Sequence, residues 1–324
     1  MPLRVNRCNA GACLLAVVSF HAAGAPLPGP PAWAYPINPP ATHTPPTDEH
    51  ALRHVPDSRA VYTTAQVGDL FVAPDWHPEE HPPAPAVVTQ GRPPDVYPCG
   101  HCHRMTGSGG PENARLAGLP AAYILQQLDD YRHGLRTTAV ANRVPQTYMI
   151  RIAKALTPQE MTAAARYFSA LKRKDTIRVI EAAEVPRTRV EGWRLAVDAG
   201  GGREALGHRI VEFPDVPEDF ESRDTRATFT AYVPPGSLAR GRLLVNSGRS
   251  AVSIACIVCH GPQLRGLGVA PPIAGRSPSY LVRQLYEIQS GIRAGPNVAP
   301  MKVAIAGLTP DDLIATAAWA ASLR

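Results

Sequence analysis

Cys99-Gly100-His101-Cys102-His103 and Cys256-Ile257-Val258-Cys259-His260 are two copies of one pattern, C-x-x-C-H. The spacing has a chemical reason. Two thiols about one helical turn apart add across the two vinyl groups of one porphyrin, and the adjacent histidine turns an imidazole nitrogen toward the iron. A dithiol redox pair needs no following histidine, and a zinc site needs further cysteines or histidines. The chain has six cysteines, four of them in these motifs; Cys8 and Cys13 lie near the N-terminus. None is left for a disulfide, a zinc site or a nucleophile. The motifs therefore predict two covalently bound haem c groups, attached at Cys99 and Cys102 and at Cys256 and Cys259, with His103 and His260 as proximal residues.

Outward from the motifs the sequence repeats. At an offset of 157, Cys99, His103, Gly118, Tyr123, Gln127, Leu128, Gly134 and Arg136 match Cys256, His260, Gly275, Tyr280, Gln284, Leu285, Gly291 and Arg293. Past a short deletion the offset becomes 152, and Met149, Leu156, Thr157, Pro158, Tyr167 and Leu171 match Met301, Leu308, Thr309, Pro310, Trp319 and Leu323. The first repeat predicts a short helix at 84–91 and a longer one at 119–133, with Pro120 in the first turn and Gly134 as its stop. A third begins at Thr157, where T-P-Q-E supplies an N-cap, a first-turn proline and a glutamate at N3, and runs to about Leu171. Met149 and Met301 are expected in loops just before these terminal helices. The partition is 84–174 and 236–324 for the two modules. Between them, 175–235 has strand-like runs (TIRVIEAAEV, GWRLAV, HRIVEF, TRATFTAYV) and reads as a β-rich insert that spaces or clamps them.

The N-terminal part differs. Residues 1–25 have a basic start (Arg4, Arg7), a short apolar run and small residues at HAAGA, the pattern of a cleaved export signal. Covalent haem and export together point to a periplasm. Residues 26–83 form a proline-rich arm; 26–98 hold eighteen of the 35 prolines. The stretch 26–50 is expected to be disordered and 58–92 to pack on a domain. His77 and His81 flank two glutamates in DWHPEEHPP, but Pro78 breaks a helical metal-binding face, so a solvated, partly packed loop is preferred to a metal site. Charge is uneven. Residues 93–174 carry 11 basic and 5 acidic side chains and 236–324 carry 9 and 3, whereas 26–92 carry 3 and 7 and 175–235 carry 8 and 12. Acidic arm and insert are expected to fold over basic module surfaces and restrict which haem edge a partner touches. Nucleic acid is not an expected partner.

These residues resemble the dihaem cytochrome c4 group. The motifs carrying the resemblance are C-x-x-C-H, then L/I-A-G, Y-x-x-x-Q-L, G-x-R, a methionine and L-T-P. It covers a little over half the chain and implies a mainly α fold of two tandem class I cytochrome c domains, here with the β-rich insert and the arm added. It implies iron ligation by His103 with Met149 and by His260 with Met301. It also implies a carbonyl receiving the other N–H of each histidine: Pro271 in the second module, Ala114 in place of a proline in the first. Arg136 and Arg293, in matched G-x-R turns, are candidates to pair with haem propionates. Tyr123, Tyr280, Gln127 and Gln284 are expected as core or haem-edge contacts, Tyr167 and Trp319 as packing, His101 as exposed, and His208 as structural or exposed.

The expected function is single-electron transfer between redox proteins, from a dehydrogenase donor to a terminal oxidase or another cytochrome, with peripheral association with a membrane complex as a further option. A thioether ligand raises the potential and fills the coordination sphere, which suits outer-sphere transfer rather than catalysis. The rivals are a haem enzyme, of the dihaem peroxidase or thiosulfate dehydrogenase kind, and a docking subunit of a respiratory complex. The absence of a spare cysteine ligand and the presence of a methionine in each module argue against the enzyme.

Overall fold

The structure, a computed structural model, describes residues 29–39, 48–249 and 253–324. The expected export signal at 1–25 lies outside the described residues. The arm contributes strands β1 (Leu52–Arg53) and β2 (Tyr62–Thr63) and helices α1 (Thr64–Gly68) and α2 (Ala86–Thr89). The first repeat follows as α3 (Cys99–His103), α4 (Ala121–Arg132), α5 (Val144–Ala155) and α6 (Pro158–Ala170). The insert is β3 (Ile177–Glu181), β4 (Glu184–Pro186), β5 (Thr188–Glu191), β6 (Arg194–Val197), β7 (Arg203–Ala205), β8 (Val211–Pro214), α7 (Pro217–Glu221) and β9 (Phe229–Val233). The second repeat is α8 (Ser237–Ser247), α9 (Ile257–His260), α10 (Pro278–Gln289), α11 (Ala299–Ile305) and α12 (Pro310–Ser322). The fold is mainly α with small sheets. Among the described residues no helix is long and apolar enough to cross a membrane.

Local chemistry explains the boundaries. Thr157 and Thr309 each close a full capping box, with Glu160 and Asp312 reaching back to the N-cap amide. Gly134 ends α4 at φ +73. Met149 and Met301 lie within α5 and α11, not in loops. Pro145 and Pro300 sit in the first turns of those helices, where a missing N–H costs nothing, so the prolines start helices that the sequence reading took as loop.

Each repeat buries its own core. In the first, Ile124, Leu128, Ala164, Phe168 and Leu171 pack with Val88 and Val96. In the second, Leu281, Leu285, Leu313, Ile314 and Ala317 pack with Leu244 and Val245 of α8. Gly241 makes the α8–α12 approach possible, since a Cβ there would collide with the Ala315 carbonyl oxygen. Ala34 and Tyr35 are buried in this second core, so residues 29–39 are ordered there, contrary to the expectation of disorder across 26–50. Two rings anchor them: the Tyr35 hydroxyl donates to Glu287 (3.3 Å) and stands edge-on to Tyr286.

The insert clamps both repeats. Its first and last strands, β3 and β9, pair in parallel, so the chain enters the insert at one end of this ribbon and leaves it at the other, and β8 pairs antiparallel to β9. Toward the first repeat, Arg143 donates to the Trp193 carbonyl (3.1 Å). Toward the second, buried Glu212 accepts from the Ser277 hydroxyl (2.7 Å) and the Ser279 amide (3.2 Å). The arm's acid groups pair mainly with the insert rather than with a module face. Arg226 meets Glu80 (2.8 Å) and Asp57 (3.4 Å), while Glu80 also takes Lys174 (2.5 Å) of the first repeat.

Candidate functional site

Each C-x-x-C-H motif is a short helix that ends at its histidine, and the histidine ring is held by a carbonyl eleven residues on. His103 Nδ1 donates to the Ala114 oxygen at 2.7 Å, and His260 Nδ1 to the Pro271 oxygen at 2.8 Å. Alanine serves as well as proline because only the carbonyl takes part. With Nδ1 committed as donor, Nε2 carries the lone pair, the tautomer an iron ligand needs. Burial keeps both rings neutral, pulling His103 down to about 4 and His260 below the usual imidazole value. It also pushes the Cys99 thiol up to about 12 and Cys256 up to about 11. A dithiol redox pair works through a lowered thiol pKa, so these protonated thiols do not fit one.

Both motifs open on one cavity of about 1730 Å³. Its wall includes His103, His260, both cysteine pairs, Met149 and Met301. Met105 and Met161 are buried in the first core instead, Met105 beneath Gly100 and Met161 among the helices.

Where the repeats meet, the matched turns form a hydrogen-bonded cage with near-twofold symmetry. Arg136 donates to Gln127 of its own repeat (2.9 Å) and to Gln284 (2.7 Å) and Tyr280 (3.0 Å) of the other. Arg293 donates to Gln284 of its own repeat (3.0 Å) and to Gln127 (2.7 Å) and Tyr123 (2.8 Å) of the other. The two arginines also pair as an antiparallel bridge. All six side chains line the cavity. Each guanidinium keeps one buried N–H, Nε, without a partner among the described residues, as does Arg276 Nη2. A haem c fits this setting: attachment thiols, lone-pair imidazoles and thioethers share an apolar cavity with buried cationic donors of the kind carboxylates seek.

Several placements differ from the sequence reading. His101 is fully buried rather than exposed, because the arm crosses the motif and the Val72 carbonyl accepts from His101 Nδ1 (2.7 Å). His77 is buried against Asp224 (3.3 Å), and His81 bonds Asp75 (3.1 Å); among the described residues no cluster could hold a metal ion. His208 is exposed and paired with Asp311. Tyr167 packs, its hydroxyl donating to the Met105 carbonyl. The sequence reading missed Arg115 and Arg173, which tie the repeats through the Gly275 and Ala274 carbonyls (2.9 and 3.1 Å). Gly275 holds φ +62, and a Cβ there would strike the Arg173 guanidinium. The matched Gly118 and Gly275 are the signal that could have marked this seam.

The cytochrome c family model matches residues 96–172. The thiosulfate dehydrogenase electron acceptor of Thiomonas intermedia is 27% identical over 274 residues, 84% of this chain and 94% of the relative. Cytochrome c-554(548) of Halomonas halodenitrificans is 34% identical over 68 residues, 21% of this chain and 82% of the relative. The solved structure of cytochrome c4 from Acidithiobacillus ferrooxidans aligns at 24% identity and a TM-score of 0.46, over 69% of this chain and 98% of that one. The chain belongs to the cytochrome c family. Covalent attachment of haem c and electron transfer follow from that membership.

Proposed function

We propose that the chain is a periplasmic dihaem electron carrier built of modules 84–174 and 236–324. His103 and Met149 ligate one iron, and His260 and Met301 the other. One observation carries the reading: two carbonyl-locked histidines and the two methionines outside the core line a single cavity. Haem c, when bound, supplies a one-electron couple at each site. The protein's own residues hold the geometry. Ala114 and Pro271 fix the imidazole rings; Met149 and Met301 would supply thioether ligands and bar small substrates; Arg136 and Arg293 would offer their unpartnered Nε–H groups to the propionates. The cage sets the two sites in one frame, so that two haems held there would exchange electrons without motion of the modules.

The relative named as an electron acceptor of thiosulfate dehydrogenase supports a dehydrogenase of that class as the donor, with an oxidase or another cytochrome as the acceptor. Anaerobic mixing of the oxidised protein with thiosulfate dehydrogenase and thiosulfate tests this. Reduction by two electron equivalents per chain is expected, and no reduction would remove that donor.

A further inference from the structure

The two motifs are not equally accessible. Positions matched at the offset of 157 show it. Ile254, Val258 and Val269 are 48%, 62% and 76% exposed, whereas their counterparts Tyr97, His101 and Glu112 are 8%, 0% and 9% exposed. The arm and the insert make the difference. Phe71 stands edge-on to Tyr97, with ring centroids 4.9 Å apart, and Val72 takes His101. From the insert, Arg223 donates to the His101 carbonyl (3.2 Å), and Phe220 packs under the Arg104 guanidinium. Nothing comparable covers the second motif among the described residues. Leu267 and Val303 extend the exposed apolar surface around it.

The rim of that surface is cationic. Arg265 and Lys302 adjoin Leu267 and Val303 in the chain and are exposed. Of the acids in 236–324, Glu287 and Asp312 are buried and Asp311 is paired with His208. Arg265 donates to the Gln263 side chain and the Arg324 main-chain oxygen but to no acidic side chain. An apolar centre with a basic rim suits a partner face of opposite sign, because apolar contact gives affinity and charge gives orientation.

We propose that the second module is the chain's docking port: a redox protein whose face is apolar and rimmed by carboxylates seats over Val258, Leu267 and Val303, beside the part of the cavity wall that Ile254 and Val269 form. Each exchange oxidises one protein by one electron and reduces the other by one, with no bond made or broken. Arm and insert deny the matching face of the first module, so its electrons reach a partner through the second. This rests on the dihaem reading, and the experiment separates the two.

The probe is a gold electrode under a monolayer of mixed methyl and carboxylate ends, with the purified haem-loaded protein. Haem content and both potentials are measured on the same samples. Leu267→Glu and Val303→Glu, both off the cavity wall, should each slow interfacial transfer about tenfold and lower the adsorbed amount, with potentials unchanged. Lys154→Ala, an equal charge change on the first module, should leave both readouts as they were. Unaltered rates in both face variants, or equal slowing by Lys154→Ala, would overturn the port alone. A wild-type dimer in sedimentation that either face variant splits would also overturn it, by showing that a second copy covers the face. A chain carrying one haem would overturn the dihaem reading and the port with it.

Discussion

Met301 is the residue on which the second site turns. It is the only methionine after residue 161, and His260 is the last histidine, so the module offers no second thioether or imidazole for the proposed sixth position. Met301→Ala should open that position and lower the second potential by about 100 mV or more. It should also remove one of the two far-red sulfur-to-iron charge-transfer contributions; a band of full intensity would exclude Met301. A different cost attends Arg136. Arg136→Leu takes the donor from the Tyr280 hydroxyl and leaves Gln284 with Arg293 alone in a buried cage, at about 2 kcal/mol in urea unfolding. Because Arg136 and Arg293 share both glutamines, each single variant leaves both glutamines one donor and only the double variant removes both, so the double should cost more than the two single losses together. At this scale the sequence showed which arginines mattered. It did not show that they reach across to the opposite repeat, because that depends on how two modules dock, and neither module's local pattern encodes the docking.

Among elements, the α8–α12 pair holds a titratable lock. Asp312 caps α12 and accepts from Arg240 (2.6 Å) and Arg249 (2.8 Å). Burial works to raise its pKa, but the Thr309 amide and the Arg240 guanidinium outweigh it and hold it below the usual carboxylate value of 3.8. A carboxyl depressed in the folded state lends stability that is present above the unfolded value and lost as pH falls through the folded one. Thermal midpoints should therefore drop as pH falls from roughly 4 to 2, and Asp312→Asn should flatten that drop; an equally steep drop in the variant would remove Asp312 from the account. Capping boxes at Thr157 and Thr309 were legible because their signals are local. The helices α5 and α11 were not, because proline serves equally as a loop former and as a first helical residue, and only packing beside the cavity decides between them. Strand-like runs foretold the β character of 175–235. The parallel pairing of its ends could not be read, since it joins residues some 50 apart.

In the whole molecule the arm and the insert are packed into the two repeats, Ala34 and Tyr35 in the second core and Glu212 against Ser277. The repeat was visible end to end because two copies of a pattern confirm each other. The arm's path over the first motif was not, because proline-rich composition states what a segment avoids and not where it lies. Arm and insert together account for the difference in exposure between the two motifs, and the Arg136–Arg293 cage holds the modules in direct contact. Redox titration should accordingly show two coupled steps, with the second depending on the state of the first; two fully independent steps would mean that the modules do not communicate. The central claim is that both motifs carry haem. The mass of the purified, denatured chain tests it most directly: the account predicts the polypeptide plus two covalent haems, falling to one when Cys256 and Cys259 are both replaced by alanine, and a native mass with a single haem would contradict it.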